Sequence, residues 1–188
     1  MLAYVFWHWP ADGAATNEYE RLQQQFHRGL AEAAIEGFHG STAFRIDGQA
    51  PWVGGSPAYV DWYLLQSSAS LDALNEAAVA GLRKGPHDVL ARAMGAGAGS
   101  LFQARSSVDF TAIQSSRVAT WIVKPRGMPY EPFYARVEPV VAGQPGASLW
   151  RRQMVLGPTT EFGLLSPERL DVPPGLEATA SISIQPIV

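Results

Sequence analysis

The spacing of hydrophobic and polar residues predicts alternating strands and helices over the first hundred positions. Residues 2–9 are apolar on both alternating faces, which is typical of a strand covered on both sides. Residues 18–35 and 70–84 carry apolar residues every three or four positions, so each segment predicts an amphipathic helix. Further strands are predicted at residues 41–46, 59–66 and 99–105. This β-α-β-β-α-β order is the ferredoxin-like arrangement.

The same pattern returns in the second half of the chain. The matching segments are 2–9 with 118–124, 19–26 with 130–137, 41–48 with 148–157, and 61–65 with 161–165. A last strand is predicted at residues 178–184, but Pro173-Pro174 forbid a helix between residues 167 and 177. Pro139 is expected to kink or end the helix that precedes it. We therefore predict an internal duplication, with repeats at residues 1–110 and 117–188 in one compact unit.

Strands that are apolar on both faces need cover on the side that the helices do not shield. A second ferredoxin-like sheet in the same chain can supply this cover. Burying several hundred Å² of apolar surface on each sheet would stabilise the folded state by on the order of 10 kcal/mol. The prediction is an α+β fold with two ferredoxin-like β-α-β-β-α-β repeats packed face to face through their sheets. The second repeat lacks its second helix.

The order of elements gives the chain a resemblance to a known superfamily. It resembles the dimeric α/β-barrel superfamily in its tandem, single-chain form, over nearly the whole chain. Members of that superfamily include cofactor-independent monooxygenases, small lyases and isomerases, heme proteins related to chlorite dismutase, and regulatory ligand-binding domains. One stretch is also similar to an uncharacterised bacterial family whose signature is Asp61-Trp62-Tyr63, Leu74-Asn75-Glu76-Ala77-Ala78-Val79 and Pro86-His87-Asp88.

Composition and charge exclude several classes of partner and site. The net charge is −3, and the basic residues cluster only at Arg83-Lys84 and Arg151-Arg152, which argues against nucleic-acid binding. The chain has no Cys, so disulfides, thiolate nucleophiles and cysteine-bound metals are absent. No run approaches the roughly 20 apolar residues of a membrane helix. We predict a cytoplasmic protein with no metal, no cofactor and no membrane contact; a small-molecule ligand is the candidate partner, and a homodimer is left open.

Two histidines are candidates for proton transfer. His87 precedes Asp88 after a helix stop, so a carboxylate could orient an imidazole that acts as general acid or base. The structural alternative is that this tripeptide starts a short helix, where an Asp is common. His8 shares a strand face with Tyr4 and Phe6 and could line a pocket at the barrel mouth, or it could lie at a sheet edge.

Asp61 is the third candidate catalytic residue, as the group that orients a histidine. It occupies the same strand position as Glu161 in the second half, so the two carboxylates could face each other and raise one pKa. The favoured alternative is that both lie in water before the buried parts of their strands. His27, next to Arg28 on a helix, is predicted to be a solvated surface residue.

The predicted substrate-binding residues are Trp7, Trp62, Tyr63, Asn75, Arg45 and Arg152. Asn75 lies on the apolar face of its helix, where a buried amide needs hydrogen bonds. An inward-facing Arg from the Arg151-Arg152 pair would need a partner such as an anionic substrate. The structural alternatives are that the Trp residues form the core and that the arginines protect an edge strand.

Three functions are compatible with the sequence. The first is a cofactor-independent enzyme of the monooxygenase, isomerase or lyase type, acting on a small aromatic or polyketide-like compound inside an aromatic-lined barrel. The second is a non-catalytic small-molecule-binding or stress-related protein. A heme protein ranks last, because the chlorite dismutase relatives take their proximal His from the second repeat and this second repeat has none.

Overall fold

The computed structural model describes all 188 residues and has an α+β architecture with eight strands and five α-helices. The strands are β1 (Leu2–Pro10), β2 (Phe38–Asp47), β3 (Ala58–Leu65), β4 (Met94–Ala104), β5 (Val118–Val123), β6 (Ser148–Arg152), β7 (Phe162–Ser166) and β8 (Glu177–Pro186). The helices are α1 (Thr16–Ala31), α2 (Ser70–Ala78), α3 (Lys84–Ala93), α4 (Phe110–Gln114) and α5 (Tyr130–Ala142), and a short 3-10 helix, Gly81–Arg83, precedes α3. None of the helices combines the length and the hydrophobicity that crossing a membrane requires.

The strands close into one antiparallel barrel in the order β1-β3-β2-β8-β5-β7-β6-β4. The two halves of the chain are joined at both edges, by residues 44–47 with 183–186 and by residues 102–104 with 150–152. This differs from the expected pair of sheets packed face to face. The apolar undersides do meet, but the edge strands also pair, because unpaired N–H and C=O groups at a sheet edge are unfavourable and a closed barrel removes them.

Large aromatic side chains fill the barrel interior. Trp7, Trp52 and Trp121 form a triad with ring centroids 5.2 to 5.8 Å apart. Trp62 contacts Trp150 edge to face at 5.1 Å. These side chains belong to the largest hydrophobic cluster of the molecule, so the interior is a packed core.

Two connecting segments pack against opposite ends of this core. Trp52 lies in the loop that follows β2 and joins the interior cluster. The helix α4, in the connector between the halves, contributes Ile113 and Phe110. The Phe110 ring packs so closely on Gly40, near the start of β2, that a Cβ at this glycine would lie only 2.9 Å from it. The barrel therefore closes its ends with side chains of its own.

The outer faces of the two halves are covered differently. The helices α1, α2 and α3 pack on the first half through a cluster that includes Tyr19, Phe26, Leu74 and Leu90. The second half has α5, which continues past Pro139 to Ala142, and the helix-free segment 167–176. Apolar side chains of both pack into a separate cluster that includes Phe133, Val137 and Leu170. The predicted absence of a second helix in this half is confirmed.

The segment after β3 differs from the single helix predicted over residues 70–84. The helix α2 ends at Ala78, and α3 begins at Lys84 with Gly85 and Pro86 in its first turn. The sequence placed a helix stop before His87, but Gly85 and Pro86 belong to the start of a helix, because a proline in a first turn needs no backbone N–H. The result is a helical cover with a bend, and a cavity lies beneath it.

The strand β4 begins at Met94, five residues earlier than predicted, and includes the Gly-Ala run. A Cβ at Gly97 would lie 2.5 Å from the Phe6 ring, and one at Gly99 would lie 2.7 Å from the Tyr4 ring. Only glycine allows these rings to lie against the neighbouring strand. The glycines therefore position two aromatic side chains that also line the cavity.

Candidate functional site

A cavity of about 370 Å³ lies between the helices α1 to α3 and the outer face of the sheet in the first half. Its hydrophobic lining consists of Tyr4, Phe6, Phe26, Leu30, Tyr63, Leu71, Leu74, Ala78, Leu90, Ala91 and Met94. Its polar lining consists of Asp61, Asp72, Asn75 and His87. A mostly apolar cleft with a few polar groups is the usual form of a small-molecule site. We call it the helix–sheet cavity.

Strand alternation brings the polar residues of β1 and β3 to the floor of this cavity. On β1, His8 follows Tyr4 and Phe6 on the outer face, as the sequence predicted, and Trp7 points into the barrel. Asp61 of β3 pairs with Phe6, and the neighbouring pair is His8 with Tyr59. His8 and Asp61 are therefore diagonal neighbours on one face, within reach of each other.

The carboxylate of Asp61 is 2% exposed and has three polar contacts. Its Oδ1 accepts a hydrogen bond from His8 Nε2 at 3.0 Å, and its Oδ2 accepts one from the Tyr63 hydroxyl at 2.8 Å. Nε2 of His27 lies 3.3 Å from Oδ2, a charge contact without hydrogen-bond alignment. We call these four residues, together with Tyr19, the Asp61 network.

The far nitrogens of both imidazoles are also bonded. His8 Nδ1 lies 2.7 Å from the Tyr19 hydroxyl, and His27 Nδ1 lies 2.7 Å from the Ser41 hydroxyl. Because the carboxylate can only accept, His8 donates through Nε2 and in its neutral form accepts from Tyr19 through Nδ1. Both rings are about 1% exposed, so their orientations are set by packing as well as by these bonds.

Protonation states within the Asp61 network are set by burial and by neighbouring charge. Burial alone raises the pKa of Asp61, but the charges of His8 and His27 and the hydrogen bond from His8 outweigh burial and hold this pKa below its usual range. Burial and the nearby Asp61 charge raise the pKa of Tyr63 and of Tyr19 well above the ordinary phenol value. The carboxylate therefore stays ionised at neutral pH, and both phenols stay protonated.

His87 lies at the rim of the cavity, one third exposed, with its ring near Phe26. Its Nδ1 lies 3.2 Å from Asp88 Oδ1, and the second oxygen of Asp88 is 2.6 Å from Lys84 Nζ. Hydrogen bonds from Lys84 and from His87 lower the pKa of Asp88, so it remains an acceptor. With Nδ1–H donating to Asp88, Nε2 is the free acceptor of the ring.

The predicted catalytic residues therefore meet around one cavity, in different positions. Asp61 and His87 both line it, but His8 lies beneath the floor and reaches the cavity only through Asp61. The suggested carboxylate pair does not form, and the expectation that Asp61 lies in water was wrong. Glu161 instead accepts from Arg151 at 2.9 Å and from Tyr130 at 2.8 Å on the second half.

The predicted substrate-binding residues are distributed over three places. Tyr63 and Asn75 line the cavity, Asn75 at an exposed position rather than a buried one. Trp7 and Trp62 lie in the barrel core. Arg45 pairs with Glu20 at 3.3 Å, and Arg152 donates to the carbonyl oxygens of Gly157 and Thr159. Neither arginine lines the helix–sheet cavity.

His27 was missed by the sequence interpretation, which placed it in solvent. It follows Phe26 on α1 and stands four and eight positions after Gln23 and Tyr19, both of which are also buried. The sequence signal for its burial was therefore the four-residue spacing of Tyr19, Gln23 and His27, which places them along one edge of the apolar stripe of α1.

No group of three or more His, Asp or Glu side chains is arranged to hold a metal ion.

Comparison with known proteins finds similar proteins by structure only. No protein-family model matches the sequence, and a search of curated proteins finds no match. A Fusobacterium nucleatum protein provisionally named a monooxygenase superposes with a TM-score of 0.67 at 7% identity, over 100% of this chain and 92% of its own. A Lactobacillus acidophilus protein, also provisionally named a monooxygenase, gives 0.60 at 9% identity, over 100% and 94%. An anthrone oxidase-like protein gives 0.52 at 12% identity, over 89% and 73%.

At these identities the likeness shows the fold alone. It agrees with the α+β fold of tandem ferredoxin-like repeats that the order of elements predicted. The similarity of residues 61–88 to an uncharacterised bacterial family stays a prediction, because no family model matches the chain.

Proposed function

We propose that this protein is a cofactor-independent enzyme that binds a small aromatic or polyketide-like compound in the helix–sheet cavity and removes a proton from it. The observation that carries the proposal is the ionised, buried Asp61 at the floor of an apolar cavity. Burying a carboxylate costs several kcal/mol unless it is well paired. Two imidazoles and a phenol around one carboxylate form the kind of perturbed cluster that is common at functional sites.

His87 is the proton acceptor in this proposal. Its Nδ1 is oriented by Asp88, which leaves Nε2 to accept a proton at the cavity rim. Asp61 is a weak base because its pKa is lowered, so its role is to hold Tyr63 and the imidazoles in place. Tyr63 directs its only proton to Asp61, and its oxygen can accept a hydrogen bond from a ligand hydroxyl.

The proposed reaction is oxygenation of the deprotonated ligand. The C–H proton moves to His87 Nε2, and the electron pair of that bond forms a C–O bond to dioxygen. The resulting peroxide anion takes the proton back, so the ligand C–H and O₂ become a C–O–O–H group with no external reductant. Two structural neighbours with the name monooxygenase, and one with the name anthrone oxidase-like, favour this outcome over an isomerase or lyase reaction.

The non-catalytic alternative uses the same cavity without turnover. Oxygen consumption distinguishes the two, because a binding protein would take up the aromatic compound and leave dioxygen unchanged. A heme protein ranks below both, since all four histidines are in the first half and two of them are buried in contact with Asp61.

The test is oxygen uptake by the purified protein with a series of anthrones and naphthols, with product analysis by mass spectrometry. Replacement of His87 by Gln should lower kcat by about a hundredfold or more, since general bases contribute roughly 10²–10⁴. The control is His39→Gln, which changes an exposed histidine on β2 that does not line the cavity. Equal activity of the two variants would refute the role of His87, and ligand binding without oxygen uptake would favour the non-catalytic alternative.

A further inference from the structure

We infer that the helix–sheet cavity selects an uncharged, hydroxylated aromatic ligand and discriminates against aromatic acids and aromatic amines. The inference rests on the proposed function only in taking this cavity as the ligand site. It goes further in naming the charge and the hydrogen-bonding character of the ligand. The observations that carry it are the charges and the free donors and acceptors of the cavity wall.

The cavity wall contains two carboxylates and no cationic lysine or arginine. Asp61 lies at the floor and Asp72 at an exposed position on α2. Arg28 and Arg92 are close to lining residues along the chain, but both are exposed and neither lines the cavity. Arg83 Nε donates to the carbonyl of Ala77, and Lys84 pairs with Asp88. A carboxylate ligand would therefore find no lysine or arginine to pair with, and entering the apolar site would remove its hydration.

A cationic ligand gains little from the same two carboxylates. Asp61 is enclosed by His8, His27 and Tyr63, so its charge is already compensated and its oxygens are already bonded. Asp72 is exposed, where an ion pair contributes little because water and salt screen it. Placing an ammonium group among the apolar side chains would also remove its hydration.

The hydrogen-bonding groups of the wall favour a ligand that donates. Tyr63 already donates its proton to Asp61, so only its oxygen lone pairs remain. Nε2 of His87 and the carboxylate of Asp72 are also acceptors, and the free donors are the Tyr4 hydroxyl and the Asn75 amide. A phenolic or enolic hydroxyl satisfies these acceptors, and a carboxylate cannot.

The aromatic part of the ligand is matched by three rings. Tyr4 and Phe6 stack along the sheet with centroids 6.1 Å apart, and Phe26 faces them from α1. Gly97 and Gly99 keep the two strand rings flat against the sheet. Planar aromatic ligands pack well on such surfaces.

Three naphthalene probes of equal ring size test the inference: 2-naphthol, 2-naphthoate and 2-naphthylmethylamine. Calorimetric titration at about pH 8 keeps the naphthol largely neutral, the acid anionic and the amine cationic. Naphthol should bind at least about tenfold more tightly than either charged probe. Naphthoate binding within about threefold of naphthol, an amine that binds more tightly than naphthol, or no binding of any probe would each overturn the inference.

Matched variants locate the effect in this cavity. Ala78→Trp should fill the cavity and abolish naphthol binding, whereas Ala80→Trp, at an exposed position outside it, should leave binding unchanged. Asp72→Asn should narrow the preference for naphthol over naphthoate by about twofold, and Glu76→Gln on the same helix should not. Naphthol binding that survives Ala78→Trp in a folded protein would overturn the assignment. Selective naphthol binding without oxygen uptake would instead leave this inference standing and refute the proposed oxygenation.

Discussion

Replacement of Asp61 by Asn tests the energetic importance of the buried network most directly. Asn keeps the size of the side chain but removes the charge that balances two buried imidazoles. The change disturbs the contacts to Tyr63 at 2.8 Å, His8 at 3.0 Å and His27 at 3.3 Å. Breaking a buried charged cluster by removing one partner costs about 3–5 kcal/mol. That is a large fraction of the roughly 5–15 kcal/mol that stabilises a typical domain.

The assay is urea unfolding at about pH 7, followed by the fluorescence of the six tryptophans. The matched control is Glu161→Gln at the corresponding position of the second half, where the carboxylate pairs with Arg151, whose side chain is 37% exposed. Exposed pairs contribute about 0–1 kcal/mol, so the control should shift the free energy of unfolding by less than that. An Asp61→Asn variant within about 1 kcal/mol of the original protein would refute the claim that this carboxylate is strongly coupled to its histidines.

Two further predictions concern stability. Because the pKa of Asp61 is lowered by folding, the unfolded chain binds more protons than the folded one just below about pH 4. The stabilisation by Asp61 is therefore present above that pH and is lost as the pH falls. The urea midpoints of the original protein and of Asp61→Asn should converge in acid, and a difference that stays constant with pH would contradict this. Trp62→Ala should destabilise the protein by about 3–5 kcal/mol in the same unfolding assay, because the ring is 1% exposed and packs on Trp150. The affinity of folded Trp62→Ala for 2-naphthol should stay the same, and loss of binding would place Trp62 in the ligand site after all.

The candidate site could be predicted in part. The outward face of β1, with His8 beside Tyr4 and Phe6, follows from strand alternation and was anticipated. His87 next to Asp88 was anticipated in the same way, because the two are adjacent in sequence. The prediction that Trp7 and Trp62 bind the ligand rested on residue type alone. Both rings lie in the barrel core, on the opposite side of the sheet from the cavity.

The position of His27 shows why local patterns were insufficient. A histidine at the edge of an apolar helical stripe is compatible with burial and with exposure, and propensity does not separate the two. Its environment depends on the docking of α1 over β2 and β3, which brings Ser41 and Asp61 to its two nitrogens. The bend between α2 and α3 has the same origin, since packing over the sheet decides whether Gly85 and Pro86 end a helix or begin one.

The amino-acid sequence by itself determined the order of the eight strands, the positions of α1 and α5, and which residues of a strand or helix share a face. These properties follow from spacings of two and of three to four residues, which are written locally in the chain. Only the tertiary structure decided that the edges β2–β8 and β4–β6 pair to close the barrel, and that Asp61 meets His27 beneath an apolar cavity. Strand register and helix docking arise from many weak contacts between distant segments, and no single segment carries a signal for them.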